Sequence, residues 1–70
     1  MINKEIIFIV EEAAEGGYFA HALEHSIITE ADTWDELKKN VRDAVLCHFE
    51  EKDMPKIIHL HEVREERLAV

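Results

Sequence analysis

The sequence predicts an α+β fold, a two-layer β-β-β-α-β sandwich in which one helix covers a sheet that contains antiparallel strands. Three observations predict it. A β-branched and aromatic run opens the chain, Gly16-Gly17 separates this run from a second apolar run, and a capping box at Thr33 begins an amphipathic helix. Because one helix covers one face of a sheet, the other face needs a partner or contacts water.

Three strands precede the helix in this interpretation. Residues 4–11 form a short apolar run that is typical of a strand buried on both faces. Gly16-Gly17 predicts a hairpin turn because glycine adopts positive φ at little cost. A second strand is expected over residues 18–23, and a third over residues 26–30.

The helix has the clearest local signal. Thr33 and Glu36 form a T-x-x-E capping box, in which each side chain satisfies a backbone N–H group of the other residue. Side chains at three- and four-residue spacings predict its buried stripe, which consists of Trp34, Leu37, Val41, Ala44, Val45 and His48. The helix is predicted to end near Glu51, since the residue before Pro55 avoids the α conformation.

A fourth strand is expected over residues 57–63. The following segment, residues 64–70, is charged and then apolar. We interpret it as a continuation of the strand or as an arm that packs on a second subunit.

Length and charge restrict the function. Seventy residues predict a single domain, residues 1–70, whose limited core favours a homo-oligomer, either a dimer or a tetramer. The net charge of −8 disfavours direct binding of nucleic acid and favours a basic partner. The lone Cys47 indicates a reducing cytoplasm, and no apolar run approaches the roughly 20 residues of a membrane span.

Five histidines raise the question of a metal site. His59 and His61 lie two residues apart on a predicted strand and therefore point to one face, which His21 shares if the register agrees. Three imidazoles with an open position suit zinc, which gives the hypothesis of a small metal-dependent hydrolase. No ligand motif of fixed spacing supports it, so we expect no metal and no other cofactor. The preferred interpretation is that these histidines face a partner or solvent.

The other reactive residues do not form a catalytic pattern. Cys47 and His48 are neighbours on the predicted helix and point about 100° apart, and Cys47 is expected to pack inertly beside the buried stripe. Ser26 follows His25 without a nucleophile-elbow motif. The acidic residues at strand ends are the alternative metal ligands for the hydrolase hypothesis, but they are expected to form a solvated rim. We therefore predict no enzymatic activity.

Apolar residues outside the buried stripe indicate contact with another chain. Leu46 points away from the stripe and Phe49 lies at its edge, with Arg42 between them. Exposed Leu and Phe side chains close to each other are typical of an interaction site. The complete set of predicted partner-binding residues is Phe19, His21, Leu46, Phe49, His59 and His61.

The order of these motifs resembles the HicB family of antitoxins. G-G-Y-F at residues 16–19 and A-D-T-W-D-E-L at residues 31–37 carry the likeness, which spans nearly the whole chain. The ending IIHLHEVREERLAV is similar to a short stand-alone branch of that family. The resemblance implies a partial ribonuclease-H-like fold without a ribonuclease-H active site. It also implies an antitoxin that covers the active site of a small, basic, RNA-cleaving HicA-type toxin.

Two features depart from the family pattern. L-E-H-S at residues 23–26 replaces the P-G-C-like turn of many members, and the chain has no room for their C-terminal DNA-binding domain. The leading hypothesis is therefore a non-catalytic protein-binding module without autoregulation of its own. The alternatives are the metal-dependent hydrolase and a structural homo-oligomer that retains the fold without a toxin partner.

Overall fold

The computed structural model describes residues 4–64 and 66–70. In chain order the elements are β1 (Glu5–Glu12), β2 (Tyr18–Ala22), β3 (Ile28–Ala31), α1 (Trp34–His48), a 3-10 turn (Glu51–Asp53) and β4 (Ile57–Val63). The four strands form one sheet in the order β3-β2-β1-β4. β1 pairs antiparallel with β2 and parallel with β4, and β2 pairs antiparallel with β3. The predicted α+β class and β-β-β-α-β order are confirmed.

The core lies between α1 and one face of the sheet. All buried residues in the described part of the chain are apolar, namely Ile6, Phe8, Val10, Ala20, Ala22, Ile27, Leu37, Val41 and Val45. Leu37, Val41 and Val45 come from the predicted helical stripe. Because fully burying a large apolar side chain contributes about 1.5–3 kcal/mol, this single layer supplies most of the stabilisation.

β1 is buried on one face only, so the prediction of a strand buried on both faces was wrong. Its side chains alternate: Phe8 and Val10 are completely buried, whereas Ile7 and Ile9 are half-buried. The physical reason is that α1 covers only the face to which Phe8 and Val10 point.

The helix begins at the predicted cap, where only the Thr33 half of the predicted box forms, and it ends earlier than predicted. The Thr33 Oγ1 atom accepts a hydrogen bond of 3.1 Å from the Glu36 N–H group. The helix ends at His48 because Phe49 is extended, with φ −104° and ψ 146°, while its N–H group still donates to the Val45 carbonyl. Among the described residues, no helix is long and apolar enough to cross a bilayer.

Two residues near the end of α1 are exposed, contrary to prediction. His48 was expected in the buried stripe and Cys47 beside it, but both side chains contact solvent. The last helical residue that faces the sheet is Val45, and the chain leaves the helix before another turn can add to the core.

The β1–β2 turn depends on its second glycine. Gly16 and Gly17 have φ of 98° and 83°, which confirms the predicted positive-φ turn. The Gly16 N–H group donates to the Ala13 carbonyl at 3.0 Å. A Cβ atom at Gly17 would lie 2.9 Å from the Ala31 carbonyl oxygen of β3, whereas one at Gly16 would meet nothing within 4 Å. Gly17 therefore allows both the turn and the close approach of β3.

We expect Gly17→Ala to destabilise the fold by more than Gly16→Ala. Both substitutions strain a positive-φ backbone, which costs on the order of 1–3 kcal/mol, but only the first also forces a methyl group against the Ala31 carbonyl. Urea unfolding followed by circular dichroism measures the two free energies. Equal losses for the two variants would show that the contact with β3 has no energetic effect.

Candidate protein-binding surface

No helix of the described residues covers the sheet face opposite α1, and we call this face the open face. Directly paired residues of neighbouring strands point to the same side, so the strand register identifies its members. They are Glu5, Ile7, Ile9 and Glu11 on β1, Phe19 and His21 on β2, Ile28 and Glu30 on β3, and Ile57, His59, His61 and Val63 on β4. Isoleucines and histidines therefore dominate this face.

Ile9 occupies the centre of the open face. It pairs with His21 of β2 on one side and with His61 of β4 on the other. Ile28 pairs with His21 and extends the row across all four strands. The next row consists of Glu30, Phe19, Glu11 and Val63. The face thus has an apolar centre with imidazoles beside it and carboxylates at intervals.

Apolar side chains of the open face are accessible to solvent. Ile28 is 78% exposed, Val63 is 50% exposed and Ile57 is 47% exposed. Ile9 and Phe19 are half-buried because their neighbours on the face shield them in part. Grouped apolar residues with polar neighbours are characteristic of protein contact sites. The open face is therefore the best candidate for a binding surface.

The three histidines proposed for zinc share the open face but spread across it. His59 and His61 are adjacent, with ring centres 6.2 Å apart, and His59 Nε2 is paired with Glu5 Oε1. His21 lies beyond Ile9, at two strand spacings or roughly 10 Å from the His61 backbone. In residues 4–64 and 66–70, no three His, Cys, Asp or Glu side chains are grouped as metal ligands.

Leu46 and Phe49, predicted as an exposed pair on the helix, have different surroundings. Leu46 is 56% exposed and borders, with Arg42, a groove between α1 and β4. Phe49 is half-buried against the core, and its ring centre lies 5.0 Å from that of His25 and 4.9 Å from that of His48. The prediction that Phe49 is exposed was wrong, because the backbone turn at the helix end directs its ring inward.

Several acidic residues that the sequence leaves scattered lie around one cleft. The cleft has a volume of about 570 Å³ and lies beside the β1–β2 turn, and the carboxylates that line it belong to Glu15, Glu30, Asp32 and Glu36. Its described lining residues include no Lys or Arg. A cleft with one sign of charge concentrates the field and favours the approach of a basic partner.

Sequence reasoning missed five apolar residues of the open face, which are Ile7, Ile9, Ile28, Ile57 and Val63. Two of them alternate with His59 and His61 along β4, so the two-residue period of that strand was an available signal. Ile7, Ile9 and Ile28 join the face only through the pairing register, which no local pattern shows.

Two proteins from other organisms are similar to the chain. A relative named UPF0150 protein from Thermotoga maritima is 45% identical over 68 residues, which cover 97% of this chain and 96% of the relative. A second protein of that name, from Archaeoglobus fulgidus, is 56% identical over 52 residues, which cover 74% of this chain and 77% of the relative. No family model and no solved structure matches the chain.

We expect the wild-type protein to bind less than one zinc ion per chain, and Ile9→His to increase binding. The substitution inserts an imidazole between His21 and His61, one strand spacing from each, and so creates a three-histidine row. Isothermal titration with zinc chloride measures both proteins. Stoichiometric zinc binding by the wild-type protein that His21→Ala abolishes would revive the metal-dependent hydrolase.

Proposed function

The chain belongs to the UPF0150 family, and we propose that it is a non-catalytic protein-binding module of the HicB antitoxin type. In this role it binds a small, basic, RNA-cleaving toxin in the cytoplasm and covers the toxin's active site. The open face is the observation that carries the proposal. It combines exposed apolar side chains with hydrogen-bonding groups on a rigid sheet.

The chemistry of the open face suits recognition of a protein surface. Ile9 at the centre, Phe19 on β2 and Ile28 on the edge strand β3 offer apolar area, whose removal from water favours association. His21 and His61 flank that centre, and an imidazole can donate and accept hydrogen bonds to a partner. Burial in a complex would therefore leave few polar groups of this face without partners.

The charge distribution supports a basic partner. The net charge is −8, and the cleft beside the β1–β2 turn concentrates four carboxylates on the same end of the sheet as Phe19. Electrostatic complementarity of this kind accelerates association and suppresses incorrect partners. An RNA-cleaving toxin holds phosphates with basic side chains, which the carboxylates of this protein would pair with instead.

Masking a toxin requires no reactive group on the protein that masks it. The bound module needs only to exclude RNA from the toxin's site, and its own acidic surface adds repulsion of the RNA phosphates. The motif order G-G-Y-F and A-D-T-W-D-E-L, which resembles HicB proteins, gives the reason to place the partner among HicA-type toxins.

Affinity purification of the tagged chain from its native host at low salt tests the proposal. We expect a small basic protein that dissociates as salt rises, because screening weakens attraction between opposite charges. The partner should cleave RNA by itself and stop cleaving when this chain is added in equimolar amount. Recovery of this chain alone would favour the structural homo-oligomer, and a partner with undiminished RNA cleavage would exclude an antitoxin role.

We expect Ile28→Asp to weaken partner binding by about tenfold or more, equivalent to about 1.4 kcal/mol, because it places a charge in the apolar part of the open face. Its folding stability should change little, since Ile28 is 78% exposed. Lys39→Asp on the exposed side of α1 is the matched control and should retain more affinity. Calorimetric titration with the purified partner compares the two variants. Equal losses of affinity would place the partner contact outside the open face.

A further inference from the structure

β4 is an edge strand with one unpaired side. It runs over seven residues, Ile57–Val63, and pairs in parallel with β1. No other described strand pairs with it, because it ends the order β3-β2-β1-β4. It contains no proline, which natural edge strands often use to prevent pairing with another chain. Its outer backbone groups are therefore available to a further strand.

The segment that follows β4 is separated from the body of the protein. All residues in 66–70 are exposed, including Leu68 at 83%. The chain exposes 5832 Å² in total, whereas a compact monomer of 8.2 kDa exposes about 4,500 Å². The excess of about 1,300 Å² exceeds the roughly 800 Å² that each partner buries in a standard protein interface. The exposed residues 66–70 are thus available for contact with a second chain.

A groove lies beside the unpaired edge. It has a volume of about 330 Å³ between α1 and the start of β4, and its apolar lining is provided by Val45, Leu46, Met54, Pro55 and Ile58. Ile58 belongs to the helix side of the sheet, since it pairs with the buried Ile6. An additional strand next to β4 would direct alternate side chains into this groove.

We propose that two copies of the chain form a strand-exchanged dimer through this edge. Residues 64 and 66–70 of each copy pair antiparallel with β4 of the other copy, around a two-fold axis at Val63. In this register Glu62 lies opposite Arg64 of the second copy, and Leu68 lies opposite Ile58. Leu68 then enters the groove beside Leu46 and Met54, which gives the exposed Leu46 its partner.

Charge selects this register over its neighbours. The nearest alternative registers shift one strand by two residues relative to the other, because a shift by one residue would turn its side chains to the opposite face. A shift by two residues moves the two-fold axis by one residue. An axis at Glu62 would place Glu62 opposite its own copy, and an axis at Arg64 would place Arg64 opposite itself. Like charges directly opposite each other destabilise a sheet, whereas the axis at Val63 gives two Glu62–Arg64 pairs.

The dimer and the proposed antitoxin role use different surfaces. The dimer buries the outer edge of β4 and the groove on the helix side of the sheet. It leaves Ile9, Phe19 and Ile28 of the open face accessible. Each idea can therefore fail without the other. A dimer without a basic partner would reject only the antitoxin role, and partner binding by a monomer would reject only the dimer.

A charge exchange tests the register. Sedimentation equilibrium of the full chain should show a dimer, which Glu62→Arg and Arg64→Glu each weaken by about fivefold or more. The double variant E62R/R64E should recover dimer affinity, because the pairs re-form with reversed sign. Glu24→Arg, at the distant β2–β3 turn, is the control and should leave the dimer intact. A monomeric wild-type chain, or a double variant as weak as the singles, would overturn the proposal.

Cross-linking gives a second measurement that does not depend on affinity. In a Cys47→Ser background, Ile58→Cys and Leu68→Cys should together yield a disulfide-linked dimer on mild oxidation. A variant with only one of these cysteines should not form the disulfide, because the same position in the two copies lies far apart across the two-fold axis. The double variant could instead form a dimer that does not cross-link and that dissociates on Ile28→Asp. That result would assign self-association to the open face and overturn the strand-exchanged dimer.

Discussion

Leu37, Val41 and Val45 of α1 pack with Phe8 and Val10 of β1 in one buried cluster, and the other surfaces of the protein are arranged around this contact. Its members include all the large side chains that are most completely removed from water. In a two-layer sandwich with one helix, the helix covers only one face of the sheet. The contact that makes the core therefore also leaves the open face accessible.

The two unsatisfied regions differ in chemistry. The open face presents side chains, so it selects a partner by shape, apolar area and hydrogen bonding. The outer edge of β4 presents backbone groups, which pair with any extended chain whose side chains agree in charge and size. Because the first region lies on the face of the sheet and the second along its edge, both can be occupied at the same time.

The turn between β1 and β2 links the fold to the charge distribution. Without a Cβ atom at Gly17, the Ala31 carbonyl and the backbone of Asp32 approach the turn closely. This approach brings Asp32 and Glu30 to the same cleft as Glu15. Glu15 thus forms one negative region with acids that lie 15 and 17 positions later in the chain, which the sequence presents only as a dispersed excess of charge.

The sequence by itself determined the elements whose signals lie within a few residues. The Thr33–Glu36 box marks the start of α1 and glycine marks the β1–β2 turn, because capping and positive φ are local properties of the backbone. Tertiary structure decided the rest. Ile9 stands between His21 and His61 only because β1 pairs with strands on both sides, and the inward turn of Phe49 depends on a core assembled from distant segments. Strand order and register arise from contacts between residues far apart in the chain, which no short pattern encodes.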